Sequence, residues 1–316
     1  MQSARKTGKE LKIMNLRRRA RTDVPLLFMT LPGIVFFFLF NYMPMVGTVL
    51  AFKNFIPSHG IFGSEWLGFK NFQFMIKNSY FWMAVKNTLT YNSVFLVSGI
   101  VFPMMLAIGL NEVRNKKAAR IYQSLLIMPH FVSYVVVSVI VFAILSADSG
   151  IISHILTGMG RKPIAFYSEQ SYWPIFLFVV YSWKGTGYSS IIYLGTITGI
   201  SDEYYEAAVI DGASKWQQIL HITIPFLKPM IVILAIMKVG NFFHSNFDLF
   251  YQVPLNSGLL QPVTNTIDVF VYNTLRDSND VSLSSAVALV QSVCGFILVV
   301  TTNKIIDLID SDLSMF

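Results

Sequence analysis

The stretch 87-NTLTYNSVFLVSGIVFPMMLAIGLN-111 runs for 25 residues without Asp, Glu, Lys or Arg. A bilayer core about 30 Å thick needs about 20 mainly apolar residues of helix, so this segment is long and apolar enough to cross one. In lipid only helices and closed barrels satisfy every backbone polar group. The run lacks the period-2 alternation of a barrel strand, so helix is the expectation. Working outward, 24–52, 121–147 and 281–303 are equally free of charge. The run 170–183 continues past Lys184 to 201, and 229–247 is interrupted only by Lys238. The expectation is an all-α integral membrane protein with six transmembrane helices over 24–306, a basic arm over 1–23 and a short tail over 307–316.

Composition agrees. Of 316 residues, 54% are hydrophobic and 13% charged, against about 25% charged in a soluble domain. The lone Cys294 lies in an apolar run, which excludes a disulfide framework and a cysteine metal site and leaves packing as its role. The net charge of +7 is concentrated: Arg5, Lys6, Lys9, Lys12, Arg17, Arg18, Arg19 and Arg21 precede the first apolar run with no aromatic among them. Such an arm reads as a cytoplasmic anchor on anionic headgroups and not as a nucleic-acid site. The apolar run behind it is too long for a secretory signal, whose core has about 7–15 residues. With the N-terminus inside, the cytoplasmic segments hold fifteen Lys and Arg and the external ones six. That bias places both termini in the cytoplasm.

One segment exceeds what a simple channel needs. Residues 201–225 read as two short cytoplasmic helices. Ser201 caps the first, with Asp202 and Glu203 at its positive end. Gly212 supplies the left-handed turn, Ser214 and Gln217 form a capping box, and Pro225 is expected to close the second helix. Tyr205, Ala208 and Val209 share one face of the first, and Trp216, Ile219 and Leu220 one face of the second. An apolar helix–turn–helix of this kind suits a groove on another protein, although an ordinary membrane-surface loop would look much the same.

The run Glu206-Ala207-Ala208, three residues, Gly212, nine residues, Ile222-Thr223-Ile224-Pro225 resembles the EAA motif of binding-protein-dependent ABC importer permeases, departing only at Ile224, where leucine is usual. Leu31-Pro32-Gly33, Phe40-Asn41-Tyr42-Met43-Pro44, Ala51-Phe52-Lys53, the run 63–72 (GSEWLGFKNF) and Met128-Pro129-His130-Phe131 are similar to oligosaccharide permeases of the LplB type. The resemblance implies a type I ABC importer permease fold and a non-catalytic subunit of the bacterial plasma membrane, with the Gram-positive arrangement of an extracellular substrate-binding lipoprotein. It implies a heterodimer with a second, homologous permease and two ATPase subunits beneath. Glu206, Ala207, Ala208, Asp211, Gly212, Ile222 and Pro225 would then contact the ATPase. ATP and Mg would be bound by those partners, since this sequence has no Gly-x4-Gly-Lys-Ser/Thr loop.

A carbohydrate substrate needs stacking aromatics and hydrogen-bonding groups, which are costly in a membrane unless they line a cavity. The candidates are Asn92, Tyr181, Lys184, Tyr188, Lys238, Asn241, His244, Asn246 and Gln291. Bland alternatives stand beside them. Lys184 can snorkel or pair with a partner's acid, Asn92 and Gln291 can bond neighbouring helices, and His130 beside Pro129 marks a kink. A secondary transporter would carry acidic residues inside its spans, and the six runs have none. A serine protease would need Ser189 and His244 paired, and a passive channel leaves 201–225 unexplained.

Overall fold

The computed structural model describes residue 25 and residues 27–309. The arm expected over 1–23, and the tail beyond residue 309, lie outside them. The chain folds into long helices joined by short ones: α1 Leu27–Phe52, α2 Lys70–Lys77, α3 Ser79–Asn111, α4 Lys116–Ile127, α5 Tyr134–Leu145, α6 Ile151–Gly158, α7 Trp173–Thr198 and α8 Asp202–Ile210. Then follow α9 Lys215–Gly240, α10 Phe247–Gln252, α11 Ile267–Ser278 and α12 Val281–Ile309. Two-residue strands, β1 Lys53–Asn54 and β2 Glu65–Trp66, pair antiparallel beyond the end of α1.

Local sequence sets the boundaries. Asn78 caps α3 by accepting from the Tyr80 N–H, Asn115 caps α4 from Lys117 and Ala118, and Ser133 caps α5 from Val136. Pro44 lacks an N–H and crowds the preceding turn. In α1 a π turn at Phe38–Tyr42 and a 3-10 segment at Met43–Phe52 accommodate it. At 33 residues, α3 is about 50 Å long, more than a bilayer core.

Among the described residues four helices, α1, α3, α9 and α12, are long and apolar enough to cross a membrane, and a fifth span results if α4 and α5 count as one. The expected runs are met differently in three places. The run 229–247 is not a helix of its own: α9 begins at Lys215 and stops at Gly240. The run 121–147 is not one helix. It breaks after the 3-10 turn Met128–Phe131, and its halves meet at 96°, because Pro129 and the Ser133 cap stop one helix and start another. The run 170–201 forms the 26-residue α7, but its centre, Lys184-Gly185-Thr186-Gly187-Tyr188-Ser189-Ser190, is too polar for its average to reach that of a free-standing span.

Helix α3 packs most extensively on α7, and α12 on the second half of α1 and on α9 and α11. The largest core joins Tyr91 and Phe95 of α3 to Trp173, Leu177 and Val180 of α7 and Leu249 and Phe250 of α10. Trp173 is fully buried and donates its indole N–H to the Phe166 carbonyl at 2.8 Å, which meets the usual need of a buried tryptophan. Elsewhere α1 keeps Phe28, Phe36 and Phe40 exposed, a surface suited to lipid or to another membrane helix.

Candidate functional site

Two regions collect the chemistry. The first is the α8–α9 corner. The Ser201 hydroxyl accepts from the Glu203 N–H, and Asp202 and Glu203 occupy the first turn of α8. Gly212 has φ +75°. The Gly212 N–H donates to the Val209 carbonyl at 3.0 Å and the Ala213 N–H to the Ala208 carbonyl at 2.8 Å, the double bond pattern that ends a helix on a left-handed residue. Ser214 and Gln217 complete the capping box. Tyr205 and Thr223 share a hydroxyl hydrogen bond at 3.0 Å, tying α8 to α9. Tyr205 and Ala208 are half-buried toward the bundle, whereas Val209, Ile210 and Trp216 stand exposed, with Ile210 87% accessible. Glu206, Ala207 and Asp211 are exposed as well, and Ile222 is half-buried. Asp202, Tyr205, Glu206, Val209, Ile210, Lys215 and Gln218 line a shallow groove of about 460 Å³.

Pro225 does not close the second helix. A π turn at Ile219–Thr223 precedes it, and this wider turn carries the facing carbonyl clear of the proline ring. The helix continues to Gly240, passing Pro229 as well. One continuous α9 therefore runs from Lys215 at the corner to Lys238, about 35 Å away at 1.5 Å per residue.

The second region is a cavity of about 360 Å³ at the far end of α9. Six of the nine candidate side chains line it: Asn92, Tyr181, Lys238, Asn241, His244 and Asn246, together with Phe95, Leu96, Leu234, Met237 and Phe242. Phe95 and Tyr181 stack at 3.9 Å with their planes 5° apart. The Lys238 ammonium donates to the Tyr181 hydroxyl at 3.4 Å. Asn92 donates to the Phe242 and His244 carbonyls at 2.6 and 2.9 Å, holding the loop after α9 against α3. Asn246 donates to the Tyr134 hydroxyl at 2.8 Å, and Asn241 to the Met237 carbonyl at 3.2 Å. Aromatic faces, amides and one ammonium make a wall that can bind polyols and anions.

Lys184, Tyr188 and Gln291 lie elsewhere. Lys184 is 8% exposed, and its ammonium donates to the His130 and Val132 carbonyls at 2.7 and 2.5 Å and sits 4.8 Å over the Tyr134 ring. It covers the carbonyl end of the helix that breaks at Phe131, where a cation is favourable. Tyr188, one turn on, stacks on His130 at 4.0 Å, and His130 does sit at the break. Gln291 donates to the Phe243 carbonyl at 2.7 Å and to Asp268 at 3.1 Å.

Asp268 is the polar centre that reading the sequence missed. Its carboxylate accepts from the Ser245 N–H and hydroxyl at 2.5 and 2.8 Å, and His244 Nδ1 lies 3.4 Å away. Burial alone would raise its pKa. The hydrogen bonds from His244, Ser245 and Gln291 outweigh that and hold it below the ordinary carboxylate value. The available signal was one acid inside the apolar run Thr266-Ile267-Asp268-Val269-Phe270. Ser189 lines a smaller cavity than the one His244 faces, and His244 is turned to Asp268, so no serine–histidine pair is assembled.

Residues 99–313 match the family described as binding-protein-dependent transport system inner membrane component. The polygalacturonan/rhamnogalacturonan transport system permease protein YteP of Bacillus subtilis (strain 168) is 36% identical over 88% of this chain and 86% of its own. Protein LplB of the same organism is 32% identical over 92% and 91%. Among solved structures, a chain of a bacterial ABC transporter involved in the import of the acidic polysaccharide alginate superposes with a TM-score of 0.83 at 28% identity, over 92% of this chain and 98% of that one. A chain of a bacterial alginate ABC transporter in complex with an alginate pentasaccharide-bound periplasmic protein also superposes with a TM-score of 0.83, over 97% of its length.

Proposed function

The chain belongs to the family of binding-protein-dependent transport system inner membrane components, and on that premise we propose that it is the permease half of an ABC importer for oligosaccharides. The α8–α9 corner carries the reading. Glu206, Ala207, Ala208 and Gly212 occupy a tightly capped helix end with apolar side chains turned outward, a shape that fits a cleft on an ATPase. The protein crosses the membrane several times. The six crossings we assign are α1, α3, the bent pair α4–α5, α7, α9 and α12, with both termini cytoplasmic. Within the bundle the polar centre of α7 is tolerable because Lys184 finds carbonyl partners there.

The mechanism follows from α9. Closure of two ATP-loaded ATPase subunits would move the corner as a unit, and the same helix carries that motion to Lys238 and Asn241 at the cavity. This chain performs no hydrolysis, and ATP and Mg are held by the partners. A second, homologous permease would complete the pathway, and an extracellular binding protein would deliver the sugar. YteP of Bacillus subtilis and the alginate transporter, by their names, handle polysaccharides, which supports a carbohydrate substrate. In proteoliposomes holding the complete transporter and loaded with ATP, oligosaccharide uptake from the binding protein is expected, and none without ATP. Uptake driven by a proton or sodium gradient without ATP would refute the reading in favour of a secondary transporter.

A further inference from the structure

Lys238 is shared by two cavities, the large one and a smaller, more enclosed one of about 60 Å³. Ser98, Tyr181, Ser182, Thr186 and Ser189 stand around the smaller one. Ser98 is 7% exposed, and the Ser98 and Ser182 hydroxyl oxygens have no hydrogen-bond partner among the described residues. Buried hydroxyls in folded proteins are nearly always paired, so two orphans beside one pocket mark a polar site without its partner. Neither cavity is lined by an aspartate or glutamate among the described residues, and the Lys238 ammonium bonds the Tyr181 hydroxyl there. A cation within a membrane span without a carboxylate is costly unless something supplies the opposite charge. Backbone shape makes room for this cation, because a Cβ on Gly99 would lie 2.8 Å from the Lys238 nitrogen and 3.0 Å from the Tyr181 oxygen.

From this acid-free pocket beside an ammonium and two unpaired hydroxyls we infer that the transported oligosaccharide is acidic, and that one of its carboxylates binds Lys238 and the Ser98 and Ser182 hydroxyls. At about 60 Å³ the small pocket suits a carboxylate, while the stacked Phe95–Tyr181 pair in the wall beside it offers an aromatic surface to the ring. The inference rests on the large cavity being the substrate's path.

The test uses cells carrying the complete importer and measures initial uptake of radiolabelled trigalacturonate, its methyl triester, trimannuronate and neutral galactotriose, normalised to membrane-inserted protein. Wild type is expected to take up at least one acidic trisaccharide about tenfold faster than the neutral compounds, the size of one charge-assisted contact. Lys238→Gln is expected to erase that ratio, Lys238→Arg to keep most of it, and Gly99→Ala, which displaces the ammonium while retaining the charge, to reduce it. Uptake of only the neutral compounds, uptake of none of the four, or an unchanged ratio in Lys238→Gln overturns the inference. So does neutral uptake that requires chloride, which would make the pocket a free-anion site. Asn241→Trp, which fills the large cavity from an exposed position, separates the two readings. If it leaves uptake intact, the cavity is not the path. If it blocks uptake while Lys238→Gln keeps the ratio, the path stands and the acidic substrate does not.

Discussion

Gly212→Asp and Glu206→Lys are each expected to abolish ATP-driven uptake while leaving the protein folded in the membrane at its normal level. At Gly212 the backbone stands at φ +75°, and a Cβ there meets nothing within 4 Å in this chain. Within the chain the cost is therefore only that of a left-handed non-glycine residue, about 1–2 kcal/mol, small beside the roughly 5–15 kcal/mol of a folded domain. Asparagine tolerates that conformation as aspartate does, so Gly212→Asn isolates the charge and should retain part of the activity. Glu206 is exposed, and reversing its sign disturbs little inside the chain. A large functional loss from two substitutions so inexpensive to the fold points to a surface on another subunit. Normal uptake by both variants would remove the corner from the mechanism.

Gly187→Ala is expected to have the largest effect on folding. A Cβ at Gly187 would lie 1.8 Å from the Leu126 carbonyl oxygen and 2.4 Å from its carbon. These are backbone atoms of α4 and cannot step aside as a flexible side chain would. Overpacking a rigid contact costs about 1–3 kcal/mol and sometimes more, and here it would force α7 from the end of α4, where Lys184 and Tyr188 also hold on. Gly195, two turns further along α7, gives the control, since a Cβ there meets nothing within 4 Å. Gly195→Ala should be neutral or stabilise by up to about 1 kcal/mol. Thermal unfolding in detergent compares the two. Equal melting temperatures would mean that α7 and α4 are not in close contact.

Much of this architecture is legible in the sequence because lipid requires long charge-free runs, and the helices α1, α3 and α12 follow them, whereas α9 carries Lys228 and Lys238 and begins at Lys215. The corner is legible for another reason. Ser201, Gly212, Ser214 and Gln217 are local signals, each acting within four residues, and all four act in the structure as their chemistry suggests. Where distant residues decide the outcome, the sequence is mute. Pro225 looks like a helix end, yet the π turn before it lets α9 continue. Lys184 looks like a cavity residue until the carbonyls of residues 130 and 132 are placed beside it. Asp268 escaped notice because it lies outside the charge-free runs, and its partners His244, Ser245 and Gln291 come from two other segments. The polar residues that do meet at the large cavity were findable singly, as polar side chains in or beside apolar runs. Their convergence depends on the packing of α3 against α7 and α9.

The central claim is that the α8–α9 corner sits in an ATPase cleft and moves with nucleotide. It is tested most directly by site-specific crosslinking. Cys294 is the chain's single cysteine, so a Cys294→Ser background carrying Ile210→Cys, an exposed position on the corner, gives one reporter. The account predicts a disulfide to a cysteine placed in the ATPase cleft, formed in the complete transporter at a yield that changes when ATP is bound. No crosslink to any cleft position, with transport intact, would contradict it.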